Sequence, residues 1–415
     1  MTMPSKPFNI DKRKVYEAYL QVRSNGGAAG ADGITIEQFE ADLKGNLYKI
    51  WNRMSSGVYF PPPVRAVSIP KKTGGQRILG VPTVADRVAQ TVVKQMIEPA
   101  LDAIFLANSY GYRPEKSALD AVGVTRERCW KYDWVLEFDI KGLFDNIDHE
   151  FLLRAVRKHV TCAWALLYIE RWLTAPMLQE DGTIVERSRG TPQGGVVSPI
   201  LSNLFMHYAF DIWMERGYPQ CRFSRYADDG VVHCHSQGQA REVMQSIASR
   251  LAECGLTMHP EKSKVVYCKD SNRTRVYPHV HFTFLGFTFR PRKALSKTRR
   301  IFTSFLPGAS TDAMKKMRQG VRGWKLNRQT HVGLAALAQR YNPIIQGWWN
   351  YYGAFYPTAM LDVYRHIDRA LERWARRKYK VLSGRQRASA QWLRKLKNAE
   401  PRLFYHWSVV GSEVG

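Results

Sequence analysis

Apolar and polar positions alternate along several short segments of the chain, and this two-residue period is typical of half-buried β-strands. The alternation predicts strands at residues 64–69 and 134–140, and shorter strands at 256–259 and 264–267. Aromatic and small side chains alternate over residues 282–289, which predicts a hairpin. Short strands are therefore expected from the first third of the chain to about residue 290.

Apolar residues recur every three or four positions in other segments, and this period predicts amphipathic helices. The predicted helices cover residues 36–50, 86–101, 149–159, 199–212, 239–254 and 360–382. Thr35 followed by Gln38 fits a capping box at the start of the first helix. Asp148 is placed to cap the third helix. Ser198 before Pro199 predicts an N-cap with proline at the first helical position.

The composition is that of an ordinary globular protein, since 45% of the 415 residues are hydrophobic and 24% are charged. No apolar run approaches the ~18 residues needed to span a bilayer, and no secretory signal is evident, so a cytoplasmic protein without a membrane partner is expected. The six cysteines form no Cys-x-x-Cys pair, which argues against zinc and disulfides. His233, Cys234 and His235 alternate along one predicted strand, so they cannot all reach one ion.

Net charge is the strongest global feature, because 62 Lys and Arg residues against 36 Asp and Glu give +26. Residues 290–415 alone contain 26 basic against six acidic residues, interleaved with aromatic residues. A field of this sign concentrates polyanions, so a nucleic-acid partner is predicted. The change in composition also predicts the main domain boundary between about residues 290 and 310.

Two adjacent carboxylates, Asp228 and Asp229, lie between two apolar-leaning segments and are followed by Gly230. Asp followed by Gly in this setting predicts a hairpin turn, because glycine accepts the backbone angles of a tight turn. Two unpaired carboxylates at a hairpin tip are electrostatically costly, so either the turn is well solvated or a divalent cation neutralises it. Asp139 supplies a third carboxylate, on the face of its predicted strand opposite Phe138.

Two further segments offer groups suited to a phosphorylated ligand. Lys71 and Arg77 flank a glycine-containing turn before a predicted strand at residues 78–81, where they could grip a triphosphate or belong to an ordinary solvated turn. Gln193 lies in a glycine-rich turn that could face a ligand or be a plain connector. Three hard carboxylates suit two Mg2+ ions that promote in-line displacement at phosphorus. Nucleotidyl transfer is therefore the reaction class indicated.

From about residue 25 to residue 407, the order of motifs in the chain resembles that of bacterial group II intron-encoded reverse transcriptases, which are also maturases. The segments that carry the resemblance are Ile69-Pro70-Lys71 with Leu79-Gly80-Val81-Pro82-Thr83, Ser109-Tyr110-Gly111-Tyr112-Arg113-Pro114, Phe138-Asp139-Ile140-Lys141-Gly142-Leu143-Phe144-Asp145-Asn146-Ile147, Thr191-Pro192-Gln193-Gly194-Gly195, Tyr226-Ala227-Asp228-Asp229, Phe284-Leu285-Gly286-Phe287, and Asn342-Pro343 with Gly347-Trp348-Trp349-Asn350-Tyr351-Tyr352. One such motif is moderately specific, whereas the whole series in this order identifies the family.

The resemblance implies an α+β right-hand polymerase fold, with fingers and palm of antiparallel sheet plus helices, followed by an α-helical thumb/maturase domain. The implied domains are an N-terminal extension with the start of the fingers (1–60), the reverse transcriptase fingers/palm domain (61–290) and the RNA-binding thumb/maturase domain (300–407). The implied activity is RNA-directed DNA polymerisation from dNTPs, with an RNA template and a DNA primer. Group II intron RNA is the implied further partner, bound in support of splicing and intron mobility, and no protein partner is indicated.

The resemblance also assigns roles to individual residues. Asp139, Asp228 and Asp229 would bind two Mg2+ ions. The carbonyl oxygen of Ile140 would be a further ligand. The implied contacts with the incoming nucleotide are Lys71 and Arg77 with the triphosphate, Gln193 with the nucleotide, and Phe144 as the steric gate that rejects a ribose 2′-hydroxyl.

Two departures from the family pattern bear on these expectations. The segment Arg77-Ile78-Leu79 replaces the usual Arg-Pro-Leu, a mild change that leaves strand character intact. The chain ends soon after Phe404-Tyr405-His406-Trp407 without a His-Asn-His or cysteine-rich segment, so no endonuclease domain is expected. Two alternatives stay open, a host-adopted reverse transcriptase in DNA repair or defence and an RNA-binding splicing factor without polymerase activity. The intact carboxylate set argues against the second.

Overall fold

The structure is a computed structural model that describes residues 6–70, 75–296 and 298–413. Helices and three small, mainly antiparallel sheets make up these described residues, which confirms the predicted α+β class. The chain divides into two compact units. The first unit contains Met1–Ser117, Phe138–Val232 and Arg241–Ser263, and the second contains Ala118–Glu137, His233–Ala240 and Lys264–Gly415. Lys71, a predicted triphosphate contact, lies outside the described residues.

The elements are numbered in chain order. Those before residue 220 are α1 (Lys12–Asn25), α2 (Ile36–Glu40), α3 (Leu43–Ser55), β1 (Val64–Pro70), β2 (Gln76–Val81), α4 (Val84–Ile104), α5 (Ala118–Lys131), β3 (Trp134–Asp139), α6 (Leu143–Asn146), α7 (His149–His159), α8 (Ala163–Thr174), β4 (Met177–Leu178), β5 (Ile184–Val185), α9 (Ser198–Met206) and α10 (Ile212–Gly217). Those after it are β6 (Arg222–Tyr226), β7 (Asp229–Cys234), α11 (Gln237–Glu253), β8 (Lys264–Tyr267), β9 (Phe282–Phe284), β10 (Phe287–Leu295), β11 (Ile301–Ala309), α12 (Thr311–Gly323), α13 (Leu334–Tyr352), α14 (Leu361–Lys378), α15 (Gln386–Ala399) and α16 (Tyr405–Glu413).

The first unit contains one complete sheet and most of the hairpin formed by β6 and β7. Strands β1 and β2 pair antiparallel from Arg65 opposite Val81 to Pro70 opposite Gln76, and the sheet continues in the order β2-β1-β4-β5. The strands predicted at residues 64–69 and 78–81 are therefore confirmed. Strands β6, β7 and the end of β3 follow one another in that order in a second sheet. Nearly half of the buried apolar side chains of this unit come from six helices, α1, α3, α4, α7, α8 and α9.

Local capping explains where several helices of the first unit begin and end. The capping box of Thr35 and Gln38 is confirmed, with both reciprocal hydrogen bonds present. The predicted helix at 36–50 is wrong in its continuity, because Asp42 caps a new helix through Gly45 N and so splits the segment into α2 and α3. Ser198 is the first residue of α9 and not its cap, since Val197 occupies that position. A turn of π-helix at His207–Asp211 joins α9 to α10.

The turn of the β6–β7 hairpin differs from the prediction. Ala227 takes the left-handed conformation, with φ 56°, and Asp229 already begins β7. Gly230 therefore lies inside a strand, where its φ is not positive. Its lack of a side chain serves packing, because a Cβ atom there would lie 2.2 Å from Cζ of Phe138. The Asp-Gly pair predicted the hairpin correctly, but the expected reason was wrong: the left-handed turn residue is Ala227 and not the glycine.

The second unit joins a three-stranded sheet to a helical bundle. The first residues of β3 pair antiparallel with β8, from Trp134 opposite Tyr267 to Glu137 opposite Lys264. Strands β9, β10 and β11 form a sheet in the order β11-β10-β9, and the predicted hairpin at 282–289 is its β9–β10 part. The prediction of a strand at residues 256–259, which lie in the first unit, is wrong. These residues form a single isolated bridge, between Met258 and Ile140.

Helix α14 lies at the centre of the bundle. Its apolar stripe is buried and contacts α12 and α15, as the three-to-four-residue spacing predicts. Trp374, Ile367 and Leu371 are almost fully buried in this core. The arginines between them face outward, and those that are exposed are Arg365, Arg369, Arg373 and Arg377. Helix α13 continues through Pro343 without ending.

None of the helices in the part of the chain that the structure describes combines the length and the apolar composition of a membrane span.

Replacing Gly230 by alanine tests the packing role of this position. We expect Gly230→Ala to lower the free energy of unfolding by about 1–3 kcal/mol, because the new methyl group overpacks against Phe138. Urea unfolding would measure the change. Gly217→Ala is the matched control, since nothing lies within 4 Å of the methyl group it adds. Equal stabilities of the two variants would contradict the packing role.

Candidate active site

The three predicted carboxylates come together at the ends of β3, β6 and β7. Asp139 is the last residue of β3, Asp228 lies in the hairpin turn and Asp229 starts β7. The backbone ties the first two segments together, because Ile140 N donates to the carbonyl oxygen of Asp228 at 3.3 Å. The carbonyl oxygen of Asp139 accepts from His259 N at 2.7 Å. The structure therefore brings together the residues that the sequence predicted from separate segments.

Electrostatic repulsion is present within this group. Burial raises the pKa of Asp228 above its usual value, and the negative charge of Asp139 adds to the increase. A backbone hydrogen bond opposes the shift, as do the positive charges of Arg77 and Lys262. Partly buried carboxylates that repel one another are a donor set that a hard divalent cation would stabilise.

Lys262 is a member of the site that the sequence reasoning missed. Its Nζ donates to Oδ2 of Asp139 at 2.8 Å. Among the described residues, no group of three or more His, Cys, Asp or Glu side chains is arranged to hold a metal ion. Lys262 occupies only the Oδ2 atom of Asp139. The donor chemistry fits a metal, and the rotamers found here do not yet converge on one.

Gln193 lies at the centre of a short polar chain. Its Nε2 donates to both carboxylate oxygens of Asp145 at 2.9 Å, while Nε of Arg77 donates to its Oε1. The loop is also attached to β2, because Gly80 N donates to the carbonyl oxygen of Gln193 at 2.8 Å. Two predicted nucleotide contacts, Arg77 and Gln193, are thus directly bonded. Asp145, which orients the amide, was not predicted, although it lies in the quoted motif that contains Asp139.

Phe144 lies near the hairpin and belongs to an aromatic group. It is 8% exposed, and its ring packs edge-on against Tyr112 with the centroids 6.5 Å apart. Tyr112 also contacts Tyr226, at 6.0 Å, and remains 51% exposed. Burial and the negative charge of Asp228 raise the pKa of Tyr112. An aromatic surface formed by these three rings therefore borders the carboxylates.

A buried ion pair supports the hairpin from beneath. Arg225 and Asp211 are 1% and 0% exposed, and their closest atoms are 2.6 Å apart. Nη1 of Arg225 also donates to the carbonyl oxygen of Ala227 at 3.1 Å, and Nη2 donates to Oγ of Ser109 at 2.8 Å. The left-handed turn residue is therefore held by a charged side chain from its own strand. Sequence reasoning did not predict this pair, because its members lie 14 residues apart on different elements.

A second buried network supports the loop that carries Gln193. Asp86 is fully buried and accepts hydrogen bonds from Tyr59, Trp172 and Gln90 at 2.7–2.9 Å. With its Nε2 occupied in this way, Gln90 turns its Oε1 to accept from the backbone N–H groups of Val196 and Val197. The loop and the start of α9 are thus anchored to α4. The sequence identified Asp86 only as the beginning of a helix.

Two family models match the chain. Residues 69–289, just over half of the chain, match the model described as reverse transcriptase (RNA-dependent DNA polymerase). Residues 314–392 match the model described as the maturase-specific domain of group II introns. The first match covers the three carboxylates, Phe144 and Gln193, and the second covers most of the bundle of the second unit.

Individual proteins are similar over part of the chain. Protein YkfC of Escherichia coli (strain K12) is 34% identical over 212 residues, which cover 48% of this chain and 54% of that protein. The group II intron-encoded protein LtrA of Lactococcus lactis subsp. cremoris is 34% identical over 193 residues, which cover 46% of this chain and 32% of that protein. The matches therefore span about half and a third of these relatives. Among solved structures, telomerase from Candida albicans with a fragment of telomeric RNA has a TM-score of 0.48 at 12% identity, covering 90% of this chain and 67% of that chain.

Removing the charge of Asp211 tests the support beneath the hairpin. We expect Asp211→Asn to lower the free energy of unfolding by about 3–5 kcal/mol, because it leaves the buried guanidinium of Arg225 without its counter-charge. Chemical denaturation would measure it. Glu150→Gln breaks an ion pair with Arg154 whose side chains are 80% and 70% exposed, so it should change stability little. A similar small effect of both substitutions would show that the buried pair does not support the turn.

Proposed function

We propose, because this chain belongs to the reverse transcriptase (RNA-dependent DNA polymerase) family, that it copies RNA into DNA and also binds a group II intron RNA as a maturase. The observation that carries the polymerase activity is the meeting of Asp139, Asp228 and Asp229 at the ends of neighbouring strands. The match to the maturase-specific domain supports RNA binding.

Asp139, Asp228 and Asp229 would hold Mg2+, with the carbonyl oxygen of Ile140 as a further ligand. Bound ions of this kind activate a primer 3′-hydroxyl and stabilise the charge of a leaving pyrophosphate. The repulsion that raises the pKa of Asp228 supports this proposal, because a cation would relieve it. Lys262 stabilises the negative charge of Asp139 in the arrangement described here.

The incoming dNTP would lie against the polar chain of Arg77, Gln193 and Asp145. The guanidinium of Arg77 would contact the triphosphate, as would Lys71, which lies outside the described residues. Asp145 keeps the amide of Gln193 in one orientation, so that this side chain can contact the nucleotide without losing rotational freedom at that moment. Phe144 would exclude a ribose 2′-hydroxyl, and its edge contact with Tyr112 keeps the ring in place.

We further propose the domain division into residues 1–60, 61–290 and 300–407, and a cytoplasmic location. The two family matches, at 69–289 and 314–392, support this division. The outward-facing arginines of α14 support RNA binding by the last domain. The intact carboxylate set favours this function over an RNA-binding splicing factor without polymerase activity. A group II intron ribozyme in the flanking DNA would favour it over a host-adopted reverse transcriptase in DNA repair or defence.

Primer extension on an RNA template tests the polymerase proposal. We expect Asp228→Asn to lower the extension rate by about 100-fold or more, because one charge-stabilising group of the site is lost. Asp181→Asn, in the exposed turn between β4 and β5, is the control and should extend normally. DNA synthesis by Asp228→Asn at the rate of the unaltered protein would refute the assignment of Asp228.

Misincorporation of ribonucleotides tests the role of Phe144. We expect Phe144→Ala to increase ribonucleotide use relative to dNTP use by about tenfold or more, because the ring no longer excludes the 2′-hydroxyl. The measurement is the ratio of kcat/KM values for matched nucleotides on one template. Phe151→Ala, on the exposed surface of α7, controls for loss of an aromatic ring. Unchanged selectivity in both variants would remove Phe144 from this role.

A further inference from the structure

The second unit contains a cavity of about 520 Å3 that the polymerase site does not use. It is bordered by β10, by the beginning of α12 and by the beginning of α14 with the turn that precedes it. The charged side chains that line it are Arg290, Arg292, Lys293, Asp362 and Arg365. Four cations thus share the cavity with one carboxylate.

Arg292 is the unusual member of this group because it is only 9% exposed. Its Nε and Nη2 donate to the carbonyl oxygens of Leu306 and Thr288 at 3.2 and 3.1 Å, and its guanidinium lies 4.8 Å from the centre of the Tyr356 ring. Among the described residues, the structure pairs no carboxylate with it. Burial lowers the pKa of Arg292 to about 10, and the positive charge of Arg290 contributes to the decrease. A buried cation without a counter-charge is costly to retain.

The backbone adds positive potential to the same cavity. Thr311 is the first residue of α12, and Leu361 is the first residue of α14. The 13-residue helix α12 therefore begins at the cavity wall, where its dipole favours an anion, and its N-cap Ser310 accepts from Ala313 N. At the start of α14, Leu361 N already donates to the carbonyl oxygen of Thr358. The single acid, Asp362, is paired with Arg365 at 3.1 Å, and both side chains are about two-thirds exposed. Solvent weakens this pair, so it does not compensate the buried charge of Arg292.

We propose that this cavity binds a phosphodiester group of an RNA backbone, with Arg292 as the buried cation and Arg290 and Arg365 at its exposed side. An RNA phosphate accounts for the features better than a small free anion does, because the residues from 290 onward contain 26 basic against six acidic residues and so attract a polyanion. Tyr356 offers an aromatic face beside the phosphate position, as single-stranded RNA sites commonly do. The proposal rests on the RNA-binding function proposed above.

The double variant Arg290→Gln/Arg365→Gln tests the cavity while leaving the packed side chain of Arg292 in place. Both replaced residues are exposed, so the protein should fold normally. Binding of a labelled single-stranded RNA is followed by fluorescence anisotropy over a salt series, with the full chain. We expect the Kd to rise about tenfold and the slope of log Kd against log salt to fall by about 0.7 for each lost phosphate contact. The control is the double variant Arg13→Gln/Arg154→Gln, which removes two exposed arginines that pair with Glu17 and Glu150. Its slope should equal that of the unaltered protein.

Inorganic phosphate distinguishes the two sources of the anion. If phosphate alone raises the thermal midpoint of the unaltered protein but not of the cavity variant, and the RNA slope is unchanged, the cavity takes a free anion and the proposal is overturned. Equal slopes for the cavity and control variants without a phosphate effect overturn it as well. Primer extension with the same preparations is scored separately. Suppose that the cavity variant shows the expected lower slope but the unaltered protein synthesises no DNA. This result would refute the polymerase function and would still support the phosphate site.

Discussion

The first unit has to keep Asp139 and Asp228 close together although their charges repel each other. The cost is visible in the raised pKa of Asp228, to which burial and the charge of Asp139 both contribute. A backbone hydrogen bond from Ile140 N to the carbonyl oxygen of Asp228 joins the two segments, and one from His259 N holds the carbonyl oxygen of Asp139. Neither bond uses a carboxylate oxygen. The carboxylate of Asp139 pairs with Lys262, and the charges of Lys262 and Arg77 reduce the repulsion in the arrangement seen here.

The side chains that hold the hairpin turn and the Gln193 loop in place are buried and polar. Arg225 holds the carbonyl oxygen of Ala227, and its own charge is matched by Asp211. Gln90 holds the loop of Gln193, and its amide is oriented by Asp86. Apolar side chains of the same volume would pack well in these positions, but they would offer no directional bonds to a turn or a loop. The same bonds that stabilise the unit therefore set the geometry of the candidate site.

The sequence predicted the features that depend on neighbouring residues and missed those that depend on contacts between distant parts of the chain. Local signals succeeded: the capping box at Thr35, the amphipathic period of α14 and the hairpin around Asp228 need only neighbouring residues. The predicted position of the turn was wrong, because the close approach of Phe138, which lies on another strand, accounts for Gly230. Ala227 is held by Arg225 of its own strand, and this arginine is itself paired with Asp211 on a different element.

The members of the site that were missed share this long-range character. Lys262 is 123 residues from Asp139, and Gln90 is 106 residues from Val196, so no spacing rule connects them. Asp139, Asp228 and Asp229 could be proposed as metal ligands from their residue type and from the family resemblance, whereas their convergence could not be predicted from spacing. The structure brings the backbone segments of Asp139 and Asp228 together through a hydrogen bond from Ile140 N to the carbonyl oxygen of Asp228.

The positively charged side chains of the second unit lie in two physically different environments, one exposed to solvent and one buried. On α14 the arginines alternate with a buried stripe and remain solvated, so their charge costs the fold little. Arg292 faces a cavity instead, among carbonyl oxygens and an aromatic ring, where no described carboxylate compensates it. Stability alone does not account for that placement, because burial makes the cation expensive and lowers its pKa. A buried cation beside the start of α12 suits an anion-binding site, because the same desolvation strengthens the attraction between the guanidinium and a phosphate.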